Sequence, residues 1–317
     1  MSSAGTPSRG AEGFRHEALL YAGTTDFMTR VVPFVAEAVT NREPVLVVVS
    51  ARKIDLLRTA LDGASGVRFA DMDTIGHNPA RIMPVWHDFV HEHAEGGRRI
   101  RGVGEPVTPD RSDDEIVECH RHEALLNIAF ATSTGFWLRC PYDTTTVGTD
   151  VVEEARRNHP LVVDAGGCRH SPVARDPATI GAPFDEPLPP PPSHARSVTF
   201  DESTLASVRA LANELAAEAR LGRDRSADWV LAANEVATNS VCHGGGAGVA
   251  LGWSTGDTIR FETRDAGLLD KPLAGRCRPG PSDLSGRGLW IANQVCDLVQ
   301  LRSSPRGTVV RLHLRVR

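Results

Sequence analysis

Apolar and polar positions follow one order before residue 197 and another after it. In the first stretch, short apolar runs alternate with amphipathic segments. "PVLVVVS" (44–50), "GVRFAD" (66–71), "RRIRGVGEP" (98–106) and "GFWLRCPYD" (135–143) read as strands, and 26–41, 51–62, 79–95, 112–133 and 147–158 read as helices. "VLVVVS" lacks polar alternation and suits a strand buried on both faces. Strands taking turns with helices predict a mostly parallel sheet in three layers, an α/β domain.

After residue 197 the predicted order is strand "RSVTF", helix "DESTLASVRALANELAAEARLG", a second helix over 225–243, and strands "GVALGWST" and "TIRFETRDAG". A loop rich in glycine and proline (267–288), a helix "LWIANQVCDLV" and a last strand "TVVRLHLRV" complete it. Alternation in the strands predicts an antiparallel sheet with one wet face and its helices on the other, an α+β domain. Between the two patterns, residues 171–197 hold a proline-dense stretch ending in four consecutive prolines (189–192), a composition that favours extended polyproline geometry. The expected division is therefore a domain over 12–175, a semi-rigid linker over 176–196 and a domain over 197–317.

Composition narrows the function classes. No apolar run is long enough to span a bilayer, and the polar "MSSAGTPSRGAEG" leader has no signal-peptide core, so a cytoplasmic protein without membrane contact is expected. The net charge is −5, with 20 basic and 27 acidic residues up to 196 and 15 and 13 after it. Neither half has the clustered basic stripe of a direct nucleic-acid binder. The six cysteines show no CxxC pair, so reduced, mostly buried thiols are expected, and a metal site from Cys119, His120, His122, Cys140 or Cys168 would follow no known ligand spacing.

The chemistry-bearing segments lie in the second domain. In "LAANEVATNSVCHGGG" (231–246), Glu235 and Asn239 stand four apart on one helix face, beside the apolar stripe of Trp229, Val230, Ala233, Val236, Ala237 and Val241. Alone, such a pair is an ordinary solvated edge. Three further segments alter that: "RDAG" (264–267) at a strand end, "SGRGLWIAN" (285–293) opening a helix, and "RGTVVRLHL" (306–314). A glycine beside an aspartate admits a planar ligand close to the backbone, and a glycine-opened helix N-terminus favours phosphate.

In this order these segments resemble the GHKL ATPase superfamily, the ATP-binding fold of gyrase, histidine kinases and mismatch-repair ATPases. The resemblance is nearest to the anti-sigma factor serine/threonine kinases of the RsbW and SpoIIAB type and covers about 197–317. It implies that Asn239 ligates magnesium, Glu235 is the general base, Asp265 reads adenine with Gly267 beside it, and Gly286, Arg287 and Gly288 form the phosphate-side loop. Thr308 corresponds to the threonine near adenine, and Arg209 to a partner-contacting arginine. The family's second glycine after the aspartate is replaced by Leu269, and the lid that follows, "KPLAGRCRPGPSDLSGRG", is affected by that change.

In the first domain, "HEALLYAGTTDFM" (16–28), "GHNPARIMPVW" (76–86), "HRHEALLNIAF" (120–130), "CPYD" (140–143) and "NHPLVVDAGGCRHSP" (158–172) together resemble the MEDS sensory domain, related to the RecA-like α/β fold. No GxxxxGK[ST] follows the strand at 45–50, where "SARKIDLL" stands, so a second ATPase is not expected. The two resemblances imply an ATP–Mg-dependent anti-sigma factor kinase under a sensor of a small-molecule or environmental signal. A sigma factor and an STAS-type anti-anti-sigma protein would be its partners, and a homodimer its assembly. The rival readings are an inactive, ATP-dependent protein-binding switch, favoured by Leu269, and a sensor histidine kinase using "CHRHE" (119–123). A proline linker and no dimerisation hairpin weigh against the histidine kinase.

Overall fold

The computed structural model describes residues 13–94, 98–176, 186–280 and 286–316. The chain forms two compact units: Met1–Thr74 with Trp86–Ser112 and Glu123–Pro177, and Ala178–Arg317 with Ile75–Val85 and Asp113–His122. In chain order the elements up to the prolines are β1 (Arg15–Tyr21), α1 (Gly23–Thr40), β2 (Val45–Val49), α2 (Ala51–Ala60), β3 (Val67–Asp71), α3 (Met72–Ile75), α4 (Ile82–His93), β4 (Ile100–Gly104), α5 (Asp113–Ala129), β5 (Phe136–Asp143), α6 (Thr149–Asn158), β6 (Leu161–Asp164) and β7 (Gly167–His170).

The seven strands of the first unit form one sheet in the order β3-β2-β4-β5-β1-β6-β7. All pairs are parallel except β6 with β7, so the sheet is mostly parallel as the apolar runs predict. Every residue of β2 is buried. Val45, Val47 and Val49 pack with Phe27, Val31 and Phe34 of α1 and with Ile54 and Leu57 of α2. On the opposite side of the sheet, Trp86 of α4 lies against Phe136 and fills the space over Gly102 and Gly104. These two covered faces make the three layers.

The second unit adds β8 (Arg196–Asp201), α7 (Leu205–Glu218), α8 (Arg223–His243), β9 (Ala247–Thr255), β10 (Thr258–Asp265), α9 (Arg287–Val295), β11 (Leu298–Ser304) and β12 (Gly307–Arg315). Its sheet is antiparallel throughout, in the order β11-β12-β10-β9-β8. Val208, Leu211 and Leu215 of α7 and Trp229, Ala233 and Val236 of α8 pack on Ile259, Phe261, Leu312 and Leu314. The architecture is thus an α/β unit followed by an α+β unit of antiparallel sheet and helices.

Two expectations are corrected. The segment taken as the tail of the "LWIANQVCDLV" helix is the start of a strand: α9 ends at Val295 and β11 begins at Leu298. The other sheet face is not wet either. Glu262, Gln300, Arg302, Arg311 and His313 are buried there because other parts of the same unit cover them. Asp114 and Glu118 pair with Gln300 and Arg302, and the Pro189 carbonyl accepts from Arg311 at 2.6 Å. Residues 177–185 of the expected linker lie outside the described residues. Of the cysteines, Cys119, Cys140 and Cys296 are buried, Cys277 is half-buried, and Cys168 and Cys242 are exposed. Among the described residues, no helix is long and apolar enough to cross a membrane.

Candidate functional site

Alanine dominates the middle of α8, giving a helix that needs little side-chain ordering and lies close to its neighbours. It stops at Gly244, ahead of Gly245 and Gly246 with positive φ. Glu235 and Asn239 are half-buried on its edge. Among the described residues neither side chain has a hydrogen-bond or ion-pair partner, an unusual state for polar groups out of full contact with water. Both point at the first turn of α9. A Cβ placed on Gly288 would lie 2.9 Å from Glu235 Oε2 and 3.0 Å from Asn239 Nδ2, so the backbone of that turn abuts the pair because position 288 carries no side chain.

Gly286 opens α9 in the left-handed region, at φ 87°, and no side chain caps the turn. The positive end of the helix dipole therefore faces Glu235 and Asn239. Arg287, the first helical residue, is exposed.

The strand end at Asp265 sits beside this arrangement. Asp265 Oδ2 accepts from Ser240 Oγ at 2.7 Å, one residue beyond Asn239, and Oδ1 accepts from the Gly267 N–H at 2.9 Å. The carboxylate is held in one orientation while half-exposed, with lone pairs left to accept from a ligand. Thr308, paired with Asp265 across β10 and β12, donates to the Gly267 carbonyl at 2.8 Å. Ser303 Oγ lies 2.7 Å from Thr308 Oγ1 and accepts from the Leu269 N–H at 2.8 Å. Leu269 is not among the residues of positive φ, so the backbone there does not require the glycine of the family pattern.

The residues singled out in the sequence thus fall into two adjoining groups: Glu235 and Asn239 with Gly286, Arg287 and Gly288, and Asp265 with Gly267 and Thr308. Arg209 is exposed on α7, where its guanidinium donates to Asn234 of α8 at 2.9 Å. Ser240 and Ser303 were not singled out. Ser240 follows Asn239 directly and lies on the buried side of an edge already marked, whereas Ser303 belongs to the strand that reads as a helix tail. The lid packs on α9 through the Gly275 carbonyl, which accepts from Asn293 at 3.0 Å. Further along, Arg276 pairs with Glu118 at 3.2 Å. Residues 281–285 of the lid lie outside the described residues.

Among the described residues, an unpartnered carboxylate and amide one helical turn apart thus lie beside a glycine-opened helix and an Asp-x-Gly strand end on an antiparallel sheet, the arrangement expected from the resemblance to the GHKL class. Consistent with this, residues 198–314 match the family described as histidine kinase-like ATPase domain, and residues 15–160 match MEDS, the methanogen/methylotroph, DcmR sensory domain. The chain carries a MEDS stretch followed by a histidine kinase-like ATPase domain.

A solved structure similar to part of the chain contains the RsbU and RsbW domains of Rv1364c from Mycobacterium tuberculosis, at 23% identity and a TM-score of 0.30. The match covers 39% of this chain and 33% of that one, so the chain spans about a third of its length. A search of the curated proteins gave no match.

Proposed function

We propose that the protein is a signalling switch whose C-terminal domain binds ATP and magnesium. It would sequester a sigma factor and phosphorylate a serine or threonine of an STAS-type anti-anti-sigma partner. Support comes above all from Glu235 and Asn239, half-buried and without protein partners among the described residues, against the first turn of α9. Asn239 offers an amide oxygen, a hard donor of the kind magnesium accepts while keeping water and phosphate ligands. When bound, the ion supplies charge neutralisation to the transferring phosphoryl group.

Glu235, one turn away, would orient the partner's hydroxyl and take its proton. Gly286, Arg287 and Gly288 would receive phosphate oxygens at the helix N-terminus. Asp265 would accept from the adenine amine, with Gly267 giving the ring room and Thr308 holding the turn. Arg209, exposed on α7, would contact the partner, and the MEDS stretch would receive a small-molecule or environmental signal. The proposal also includes a homodimer acting in the cytoplasm, without direct nucleic-acid or membrane binding.

In the full chain, Asn239→Ala is expected to lower both ATP–Mg affinity and phosphate transfer. Glu235→Ala should keep most affinity and sigma-factor binding while slowing transfer at least about a hundredfold. Transfer of radiolabelled phosphate to a co-purified protein, alongside calorimetric ATP affinity, measures both. A wild type that binds ATP and labels no partner would leave the nucleotide-dependent binding switch in place of the kinase. Label on histidine would favour the histidine kinase, and loss of ATP binding in Glu235→Ala would remove its role as base.

A further inference from the structure

His16, Glu123, Cys140 and His159 converge inside the first unit, each 1% exposed or less, and their ligand atoms all lie within 4.8 Å of one another. They come from four places: β1, α5, β5 and the turn between α6 and β6. Glu123 Oε2 is 3.1 Å from His16 Nε2 and 3.0 Å from His159 Nε2, and Cys140 Sγ is 3.4 Å from His16 Nε2.

The hydrogen bonds behind the two imidazoles fix which nitrogen faces inward. His159 Nδ1 is 2.7 Å from the Ala155 carbonyl, which can only accept. His16 Nδ1 is 3.1 Å from Asn127 Oδ1, and the Asn127 amide is oriented by donating its own Nδ2 to the Asn158 carbonyl at 2.8 Å. Each Nδ1 therefore carries a proton, so that each ring, while neutral, presents its Nε2 lone pair to the Glu123 carboxylate. Two lone pairs at about hydrogen-bond distance from one carboxylate oxygen repel unless a positive charge lies among them. Among the described residues, Glu123 pairs with His16 and His159 and with no Lys or Arg to supply it.

We propose that these four side chains bind a divalent cation of the zinc class. Imidazole, thiolate and carboxylate are the donors zinc takes, and a histidine whose other nitrogen is tied to a carbonyl is the usual support of a metal ligand. Tetrahedral zinc at ordinary bond lengths sets its ligands about 3.3 Å apart for nitrogen and oxygen and about 3.5 Å for nitrogen and sulfur. The spacings of 3.0, 3.1 and 3.4 Å are near those edges. Phe14 stacks on His16 and Tyr142 lies edge-on to His159, so the site is enclosed by aromatic rings. Four protein ligands in such a pocket make a closed site, which holds its ion in place and leaves no position for substrate. The ion would tie β1, β5, α5 and the α6–β6 turn together.

The test uses the full chain, stripped with a chelator and reloaded with Co²⁺ as a spectroscopic probe. About one equivalent is expected to bind, with tetrahedral d–d bands and a thiolate-to-cobalt charge-transfer band. Cys140→Ser should abolish the charge-transfer band, and Asn127→Ala, which removes the support of His16, should weaken binding about 10–100-fold. X-ray absorption of the zinc-loaded wild type, expected to give one sulfur and three nitrogen or oxygen neighbours, decides the matter if the variants do not fold. A stripped chain that keeps its circular dichroism but binds neither Co²⁺ nor Zn²⁺ would overturn the proposal in favour of a proton shared by the cluster. A charge-transfer band unchanged in Cys140→Ser would place the metal on other thiols and overturn it equally.

Discussion

At position 288 the needs of folding and of the site oppose each other. Alanine favours a helix over glycine by up to about 1 kcal/mol, so Gly288→Ala would by itself steady α9. Yet its Cβ would crowd Glu235 Oε2 and Asn239 Nδ2, both at the ends of side chains that can turn away. The expected result is a fold of roughly unchanged stability, with Glu235 and Asn239 turned away from α9 and ATP affinity lowered about tenfold, about 1.4 kcal/mol. Thermal melting and calorimetry on the same sample check the two halves. Residues close together in the chain made this site legible: Glu235 and Asn239 share one helix, and Gly286 and Gly288 open the next. The His16, Glu123, Cys140 and His159 cluster was not legible, because its members lie on separate elements and no spacing relates them. Of the five residues weighed for a metal from sequence, Cys140 alone belongs to that cluster.

Among the elements, β12 shows how burial redefines a strand. Its alternation predicts a solvated face, but that face is covered and His313 is 5% exposed. His313 Nε2 donates to Gln300 Oε1 at 2.9 Å and its Nδ1 accepts from Arg260 Nε at 3.2 Å, an arrangement that needs the neutral ring. Burial, then the charges of Arg260 and Arg311, push its pKa down to about 3, against a smaller opposing effect of Asp297. The unfolded chain takes up this proton near pH 6.5 and the folded chain does not. The contribution of His313 is therefore whole above about pH 6.5 and is lost as pH falls towards 3. His313→Gln, which can still donate to Gln300 and accept from Arg260, should show a smaller fall in melting temperature than the wild type between pH 7 and about 4. Equal falls would remove His313 from the acid response. The neighbouring β11 escaped recognition for a related reason: its apolar residues continue the spacing of α9 across Cys296 and Asp297, and only pairing with β12 makes them a strand.

Across the whole molecule, the second unit is not one continuous piece of chain. Asn78 Nδ2 and Arg81 Nε donate to the Asn293 carbonyl, at 3.1 and 2.7 Å, and Arg81 Nη2 donates to the Cys296 carbonyl at 2.9 Å, covering the C-terminal end of α9. Glu118 is shared by Arg276 and Arg302. A fragment of 197–317 keeps the carbonyls and arginines but lacks Asn78, Arg81 and Glu118. Its amides over 287–304 are expected to exchange hydrogen faster than in the full chain, read by mass spectrometry, and equal protection would mean that the carbonyls and arginines find water as good a partner. The same contacts impose an order on biosynthesis. Asn78 leaves the ribosome 215 residues ahead of Asn293, which at 5–20 residues per second is an interval of roughly 10–40 s. For that time Asn78 Nδ2 is without its Asn293 and Cys296 acceptors, and Glu118 waits in the same way over the 158 residues to Arg276. A nascent chain stalled before α9 would leave both groups to water, and the pieces contributed by 75–85 and 113–122 would stand without the partners that bind them into the second unit.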